Sequence, residues 1–187
     1  MKRFPRLFPL LLVLMLSVLT MLLDRVTRQS SVQSVIDRDQ PEYTVENFTA
    51  TRFDAQGLPS DRLQARKMWQ FPDAKDIEFE QPFLTSYQLG QVNYTVEGEV
   101  GRYNNSTGMV WFDRKVVLID KAEPGQSDIK IDTRAMTVNL NTSTAQSPAA
   151  VTVHQGDSVA NAIGFTYAQQ QGLITLLSKV RISYAQP

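Results

Sequence analysis

Two hydrophobic patterns divide the chain. From Leu7 to Leu23 every position is uncharged and nearly all are apolar, with no polar face at any helical period. A helix that is apolar all round is a membrane span or a deeply buried element. Residues 24 to 41 are polar, and from Tyr43 onward the period falls to two. Ile77-Glu78-Phe79-Glu80, Ile129-Lys130-Ile131-Asp132 and Met136-Thr137-Val138-Asn139 alternate apolar with polar. Phe83 to Leu89, Tyr94 to Glu97, Met109 to Phe112, Lys115 to Ile119, Val151 to His154, Leu173 to Leu177 and Val180 to Tyr184 add further short runs, separated by Gly, Asn, Asp and Pro. Alternation of this kind buries one face of each strand and leaves the other wet. About a dozen strands with closely spaced turns predict an all-β sandwich or open barrel. A weak recurrence of strand, turn and strand also suits a stack of β-turns.

The first segment has two readings. About 17–25 apolar residues span a bilayer, and Leu7 to Leu23 lies at the short end, extended by Phe4 and Pro5 with Arg6 reaching the interface. A cleaved signal peptide also begins with basic residues and an apolar run. Its cleavage site needs small residues, whereas this run ends Met21-Leu22-Leu23-Asp24. Both readings put the remainder across the membrane, with Lys2, Arg3 and Arg6 on the cytoplasmic side. The expected organisation is a cytoplasmic tail over 1–6, a transmembrane helix over 7–25, a tether over 26–42 closed by Pro41, and a β-domain over 43–187.

Charge and composition narrow the chemistry. The net charge is zero, but removing the three N-terminal basic residues leaves 16 basic against 19 acidic, or −3. The remaining Lys and Arg are scattered, which argues against nucleic-acid binding. With no cysteine, disulfides, thiolate metal sites and cysteine nucleophiles are excluded. The single histidine, His154, sits at a strand end and supports no catalytic triad. Asp73 and Asp76 flank a proline turn, and Gly98 to Gly101 is too short for a phosphate loop. Asn47-Phe48-Thr49 and Asn93-Tyr94-Thr95 match the glycosylation triplet, a pattern common by chance. No catalysis and no cofactor or metal are expected.

Binding is the better expectation. Two sheets that do not close fully can enclose an apolar ligand, and an exposed edge strand can be extended by another chain. Gly172-Leu173-Ile174-Thr175-Leu176-Leu177-Ser178 has no charge or proline to prevent this. It reads equally as a core strand.

Several motifs are familiar in their order. Tyr43-Thr44-Val45-Glu46-Asn47-Phe48, Thr51-Arg52-Phe53-Asp54 with Gly57, Leu63-Gln64-Ala65, and Phe71-Pro72-Asp73 resemble the opening of the LptC family. Phe79-Glu80-Gln81-Pro82, Ile131-Asp132-Thr133 and Met136-Thr137-Val138 are similar to its middle. Ala162-Ile163-Gly164-Phe165, Gly172 to Ser178, Val180-Arg181 and Tyr184 are similar to its end. The chain departs from the common pattern at Gln146-Ser147-Pro148. The resemblance implies a non-enzymatic, bitopic protein: a twisted, open β-jellyroll of many short antiparallel strands, preceded by one N-terminal transmembrane helix in the inner membrane. It implies that lipopolysaccharide passes from an inner-membrane ATP-binding-cassette transporter with β-jellyroll domains, through this periplasmic domain, to a periplasmic bridge protein of like fold. It also implies that the anchor helix sits among the transporter helices.

Strand alternation nominates Met68, Phe79, Phe112, Ile131, Val138, Phe165 and Leu176 as lining a lipid groove. Gly57 and Gly164 match family glycines near the two ends of the jellyroll. With Leu173, Thr175, Leu177 and Tyr184 they form the expected partner-docking set.

Overall fold

The computed structural model describes residues 7–29, 40–122 and 125–184. By its contacts the chain divides into two units, 1–37 and 38–187. In the first, α1 spans Leu7–Gln29. Its 23 residues correspond to roughly 35 Å at 1.5 Å per residue. The side chains whose surroundings are described run without a gap only from Leu11 to Arg25, and all are exposed. Among the described residues no helix is long and apolar enough to cross a membrane, so the span expected over 7–25 is not shown. The expected tether falls largely on 30–39, outside the described residues.

The second unit is all antiparallel β. Its strands are β1 (Tyr43–Phe53), β2 (Pro59–Gln70), β3 (Asp76–Glu80), β4 (Phe83–Gln88), β5 (Gln91–Glu97), β6 (Val100–Asn104), β7 (Met109–Asp120), β8 (Ile129–Asn139), β9 (Thr144–Gln155), β10 (Ser158–Ala168) and β11 (Leu173–Ser183). All eleven belong to one hydrogen-bonded sheet. The sheet splits at β2, where Asp61–Gln64 pairs with β4 and Lys67–Trp69 with β3. The branches continue as β4–β5 and β3–β6 and rejoin on β7, which takes β5 along Val117–Asp120 and β6 along Met109–Asp113. Beyond β7 the strands β8, β9, β10 and β11 pair in succession. Leu84 and Val96 from one branch pack in a single buried cluster with Val110 and Phe112 from the other half of β7. The two branches are thus facing layers of a jellyroll-like sandwich.

The long strands β7, β8, β10 and β11 each carry an irregularity where the strand bends between layers. In β7 it lies between Asp113 and Val116, where Arg114 and Lys115 have φ of 61° and 47°. In β8 it falls between Thr133 and Thr137, in β10 around Ile163 to Phe165, and β11 carries Lys179 at φ 51°. A bulge raises the local twist and lets a strand bend between sheets. It also resets the alternation, which explains a difference from the expected pattern. Met109–Phe112 and Lys115–Ile119, predicted as separate strands, are the two arms of β7. The short runs in 129–141 likewise form β8, and those in 173–184 form β11. The recurrence of strand, turn and strand reflects the β7-to-β11 meander rather than a tandem repeat.

Candidate functional site

The pairing register shows how the interior is built. In one layer Leu63, Leu84, Val96, Leu118, Ile131 and Val153 lie side by side across six strands. In the other, Met68, Phe79, Gly101, Phe112 and Met136 form a parallel row. The middle of this space is closed. Phe112, Ile131, Val138 and Phe165 have at most 1% of their surface exposed, and they share one close-packed cluster. Met68 and Phe79 are buried in a second cluster at the β1 side. Leu176 is half-buried against the main cluster. The seven nominated groove residues therefore all face the interior, six of them within packed core.

Open space lies at the two ends. Beneath β1 is an apolar cavity of about 190 Å³. Phe48, Leu63, Ile77, Leu84, Tyr103 and Leu140 line it together with Phe79, and the Phe48 and Phe79 rings stand 5.7 Å apart. At the other end the row Ile131, Val153 and Ala160 continues onto Ile182 in β11. On β11 the row is left partly uncovered: Val180 and Ile182 are 44% and 48% exposed. The β1 edge ends comparably, since Val45 extends the Met68–Phe79 row and is 40% exposed. Sequence alternation missed Phe48, Ile77, Tyr103, Val180 and Ile182. Ile77 shares the alternating run of Phe79, and Val180 and Ile182 share one run, but alternation within a run does not show where the interior opens.

β1 and β11 are also the free edges: among the described residues β1 pairs only with β2, and β11 only with β10. Leu173, Thr175 and Leu177 are exposed on the face of β11 opposite Ile174 and Leu176, and Tyr184 is exposed beyond its end. Gly164 lies in the β10 bulge at φ +78°, and a Cβ there would come within 2.9 Å of Leu177 Cδ1. A close approach between β10 and the edge strand requires this glycine. Gly57 closes the β1–β2 turn at φ +81°, with open space around it. Its amide donates to Asp54 O at 3.1 Å, and local turn geometry accounts for it. The docking set is thus split between the two ends of the domain.

A polar band finishes one side of the interior. The register places Arg52, Asp61, Ser86, Tyr94 and Asp120 in one row. Arg52 donates from Nε and Nη2 to the Asp61 carboxylate at 2.9 and 2.5 Å, and from Nη2 to Leu140 O at 2.9 Å. Asp61 is buried, so its charge requires that partner. Tyr94 is hydrogen-bonded to Ser86, and burial pushes its hydroxyl up to about 12. Tyr167 stands edge-on to Tyr94 with ring centroids 6.1 Å apart. Burial raises its hydroxyl too, helped by the Asp120 charge to which it is hydrogen-bonded. Burial also raises the Asp120 carboxyl; the Tyr167 hydrogen bond opposes this and Asp128 adds to it. Both phenols stay protonated at neutral pH, so the band closes that side with hydrogen bonds and the Arg52–Asp61 ion pair. His154 lies outside it, 3.6 Å from Asp132 on the surface. Asp76 accepts from Asn104 Nδ2 at 2.6 Å.

Comparison with known proteins agrees with this architecture. The crystal structure of LptH from Pseudomonas aeruginosa is described as that of the LptA homologous periplasmic component of the conserved lipopolysaccharide transport device. It matches with a TM-score of 0.51 at 10% sequence identity, over 81% of this chain and 99% of that one. The likeness is one of fold. No curated protein matches the chain. The family described as "Lipopolysaccharide-assembly, LptC-related" matches residues 9–185. That match runs from within the apolar helix to beyond the last strand, and the chain belongs to the LptC family.

Proposed function

We propose that the protein is a membrane-held relay that receives lipopolysaccharide from an inner-membrane ATP-binding-cassette transporter and passes it to a periplasmic bridge protein of like fold. The observation that carries this reading is a single apolar interior that reaches the surface at two places, each beside an unpaired strand edge. A partner that extends β1 or β11 through backbone hydrogen bonds brings its own inward row into line with this one. Acyl chains would then cross from jellyroll to jellyroll without entering water.

The closed centre makes the relay a matter of opening. A cavity of about 190 Å³ is smaller than the roughly 300–1,000 Å³ of a site for a drug-sized ligand, so it takes part of an acyl chain at rest. Burying a methylene returns about 0.8 kcal/mol, or roughly 10 kcal/mol for a dozen. That is comparable with the whole stability of a typical domain, about 5–15 kcal/mol, so entering chains can offset the parting of the two layers. No covalent step is involved. Direction comes from the transporter loading the interior behind each molecule.

The apolar Leu7–Leu23 segment, with its basic flank at Lys2, Arg3 and Arg6, anchors the chain in the inner membrane. The β-domain then lies in the periplasm. The 17 uncharged residues from Leu7 to Leu23 correspond to roughly 26 Å at 1.5 Å per residue, the short end for a hydrocarbon core of about 30 Å.

Photo-crosslinking amino acids at Phe48, Ile77, Phe112 and Ile182 test the route. The expected result is ATP-dependent capture of lipopolysaccharide at Phe48 and Ile77 before Ile182. Capture at outward neighbours such as Thr95, with none at these four, would overturn it. Co-purification with a different lipid would instead indicate a carrier for that lipid.

A further inference from the structure

The outer face of the β2–β3–β6–β7 layer carries a second concavity that the lipid route does not use. Pairing register sets Trp69, Glu78, Arg102 and Trp111 in one cross-strand row. These positions alternate with the inward Met68, Phe79, Gly101 and Phe112, so the row points outward. Three strand spacings of about 4.8 Å separate the two indoles, roughly 14 Å in all. Trp69 Nε1 donates to Glu78 Oε2 at 2.9 Å, and the Arg102 guanidinium lies 5.0 Å over the Trp111 ring. Val100 and Gly101 on β6 between them, and Ala135 on β8 beside Trp111, complete the lining of a concavity of about 460 Å³.

We propose that this concavity is a saccharide-binding site, in which the Trp69 and Trp111 ledges and the Glu78 and Arg102 side chains between them hold the oligosaccharide headgroup of the transported lipid.

The chemistry selects the ligand class. Cross-strand pairing alone is worth roughly 0.2–1 kcal/mol per pair and accounts for the ladder, but it requires no depression between the two indoles. Glu78 and Asp113 offset Arg102, so the site has no excess positive charge for a phosphate or nucleic acid. Carboxylates in the wall exclude a purely apolar ligand, which would strip their water without replacing its hydrogen bonds. A sugar ring meets both demands. Its C–H face packs on an indole, and its rim of hydroxyls takes donors and acceptors together. The volume lies within the range of small-molecule sites. The proposal rests on the relay reading only for the source of the sugar.

The chain has two tryptophans, Trp69 and Trp111, so tryptophan emission, excited selectively over the tyrosines, reports on this concavity. Full-length protein in detergent is titrated with lipid-free oligosaccharide released from lipopolysaccharide by mild acid. The expected result is a saturable change in emission. Arg102→Ala should weaken binding about tenfold, the scale of a lost aromatic or charge-assisted contact. Ala135→Arg, which puts a long side chain into the lining beside Trp111, should abolish it. Glu78→Gln, which keeps the shape, should weaken it less and guards against misfolding of the other two. A flat titration in both fluorescence and calorimetry, or binding that none of the three variants changes, overturns the site. Capture of intact lipopolysaccharide at Phe48 and Ile182 distinguishes the two failures. If it persists while the sugar titration is flat, the saccharide site is wrong and the relay stands; if it is lost while sugar still binds, the relay is wrong.

Discussion

At the β1 end of the domain the apolar interior finishes in a partly open cavity, with the Phe48 ring tilted against Phe79 and Arg52 bridging Asp61 and the Leu140 carbonyl. At the β11 end the same interior finishes in Val180 and Ile182, side chains left facing water. Both ends are free strand edges of one sheet, so edge status does not separate them. The difference lies in what stands opposite. β1 lies on β2, the strand from which both layers diverge, so side chains of β3, β4 and β6 close around its inward face. β11 closes the meander, and among the described residues it pairs only with β10, which leaves its second half uncovered. In the proposed direction of travel, the cavity at the β1 end admits a chain and the uncovered β11 end presents it.

The largest expected effect compares the sealed centre with the open end. Phe112→Ala should cost about 3–5 kcal/mol through lost burial and a cavity, read by denaturant unfolding of the full chain. Ile182→Ala, at a half-exposed position, should cost less than about 1 kcal/mol. Equal costs would break the distinction between core and rim.

Charge at the rim should separate transport from stability. Ile182→Asp should leave unfolding within about 1 kcal/mol, yet reduce lipopolysaccharide transfer to the bridge protein at least about tenfold, because an acyl chain passing there must desolvate an unpaired carboxylate. Phe48→Asp should block loading instead, leaving crosslinks at both ends empty. If Ile182→Asp emptied the β1 end as well, the two ends would not act in sequence.

Gly164 and Gly57 sharpen the comparison further. Gly164→Ala meets a left-handed backbone and the Leu177 side chain, and should cost about 1–2 kcal/mol. Gly57→Ala meets only the backbone penalty and should cost less. Only the first should also weaken pairing with the bridge protein, measured by pull-down.

The smallest effect concerns pH. The folded state holds the Asp120 carboxyl above its usual value of 3.8, so in this range the native protein binds more protons at this group than the unfolded chain does. Its contribution is fully present below 3.8 and is lost as pH rises through the raised value. Asp120→Asn should flatten that decline in thermal unfolding between pH 4 and 7. An unchanged slope would remove Asp120 as its source.

Much of this was legible in the residues. Alternation at 77–80, 129–132 and 136–139 marked strands with one buried face, and Phe79, Ile131 and Val138 are buried as that pattern requires. The run 173–177 marked a strand that reads equally as core or edge, and pairing makes it the edge strand, with Leu173, Thr175 and Leu177 outward. What could not be read was continuity. Arg114-Lys115 and Lys179 look like strand ends, because charge and lost alternation normally end a strand. They are bulges at which pairing resumes in the other layer. Nor could alternation distinguish a groove from a core, because an inward side chain has the same parity in either. Arg52 gave no signal either: its acceptor, the Leu140 carbonyl, lies 88 residues away.

By itself the sequence determined the all-β character of the domain, the inward identity of its large apolar side chains, the apolar N-terminal helix and the absence of thiol chemistry. Each follows from local periodicity or composition, which need no partner. The tertiary structure alone decided that the interior is sealed in the middle and open at both ends. It also decided that β2 and β7 divide the sheet into two layers, and that Trp69 and Trp111 stand in one outward row. Those properties arise from pairing between strands distant in sequence, and a single residue of register separates a buried side chain from an exposed one.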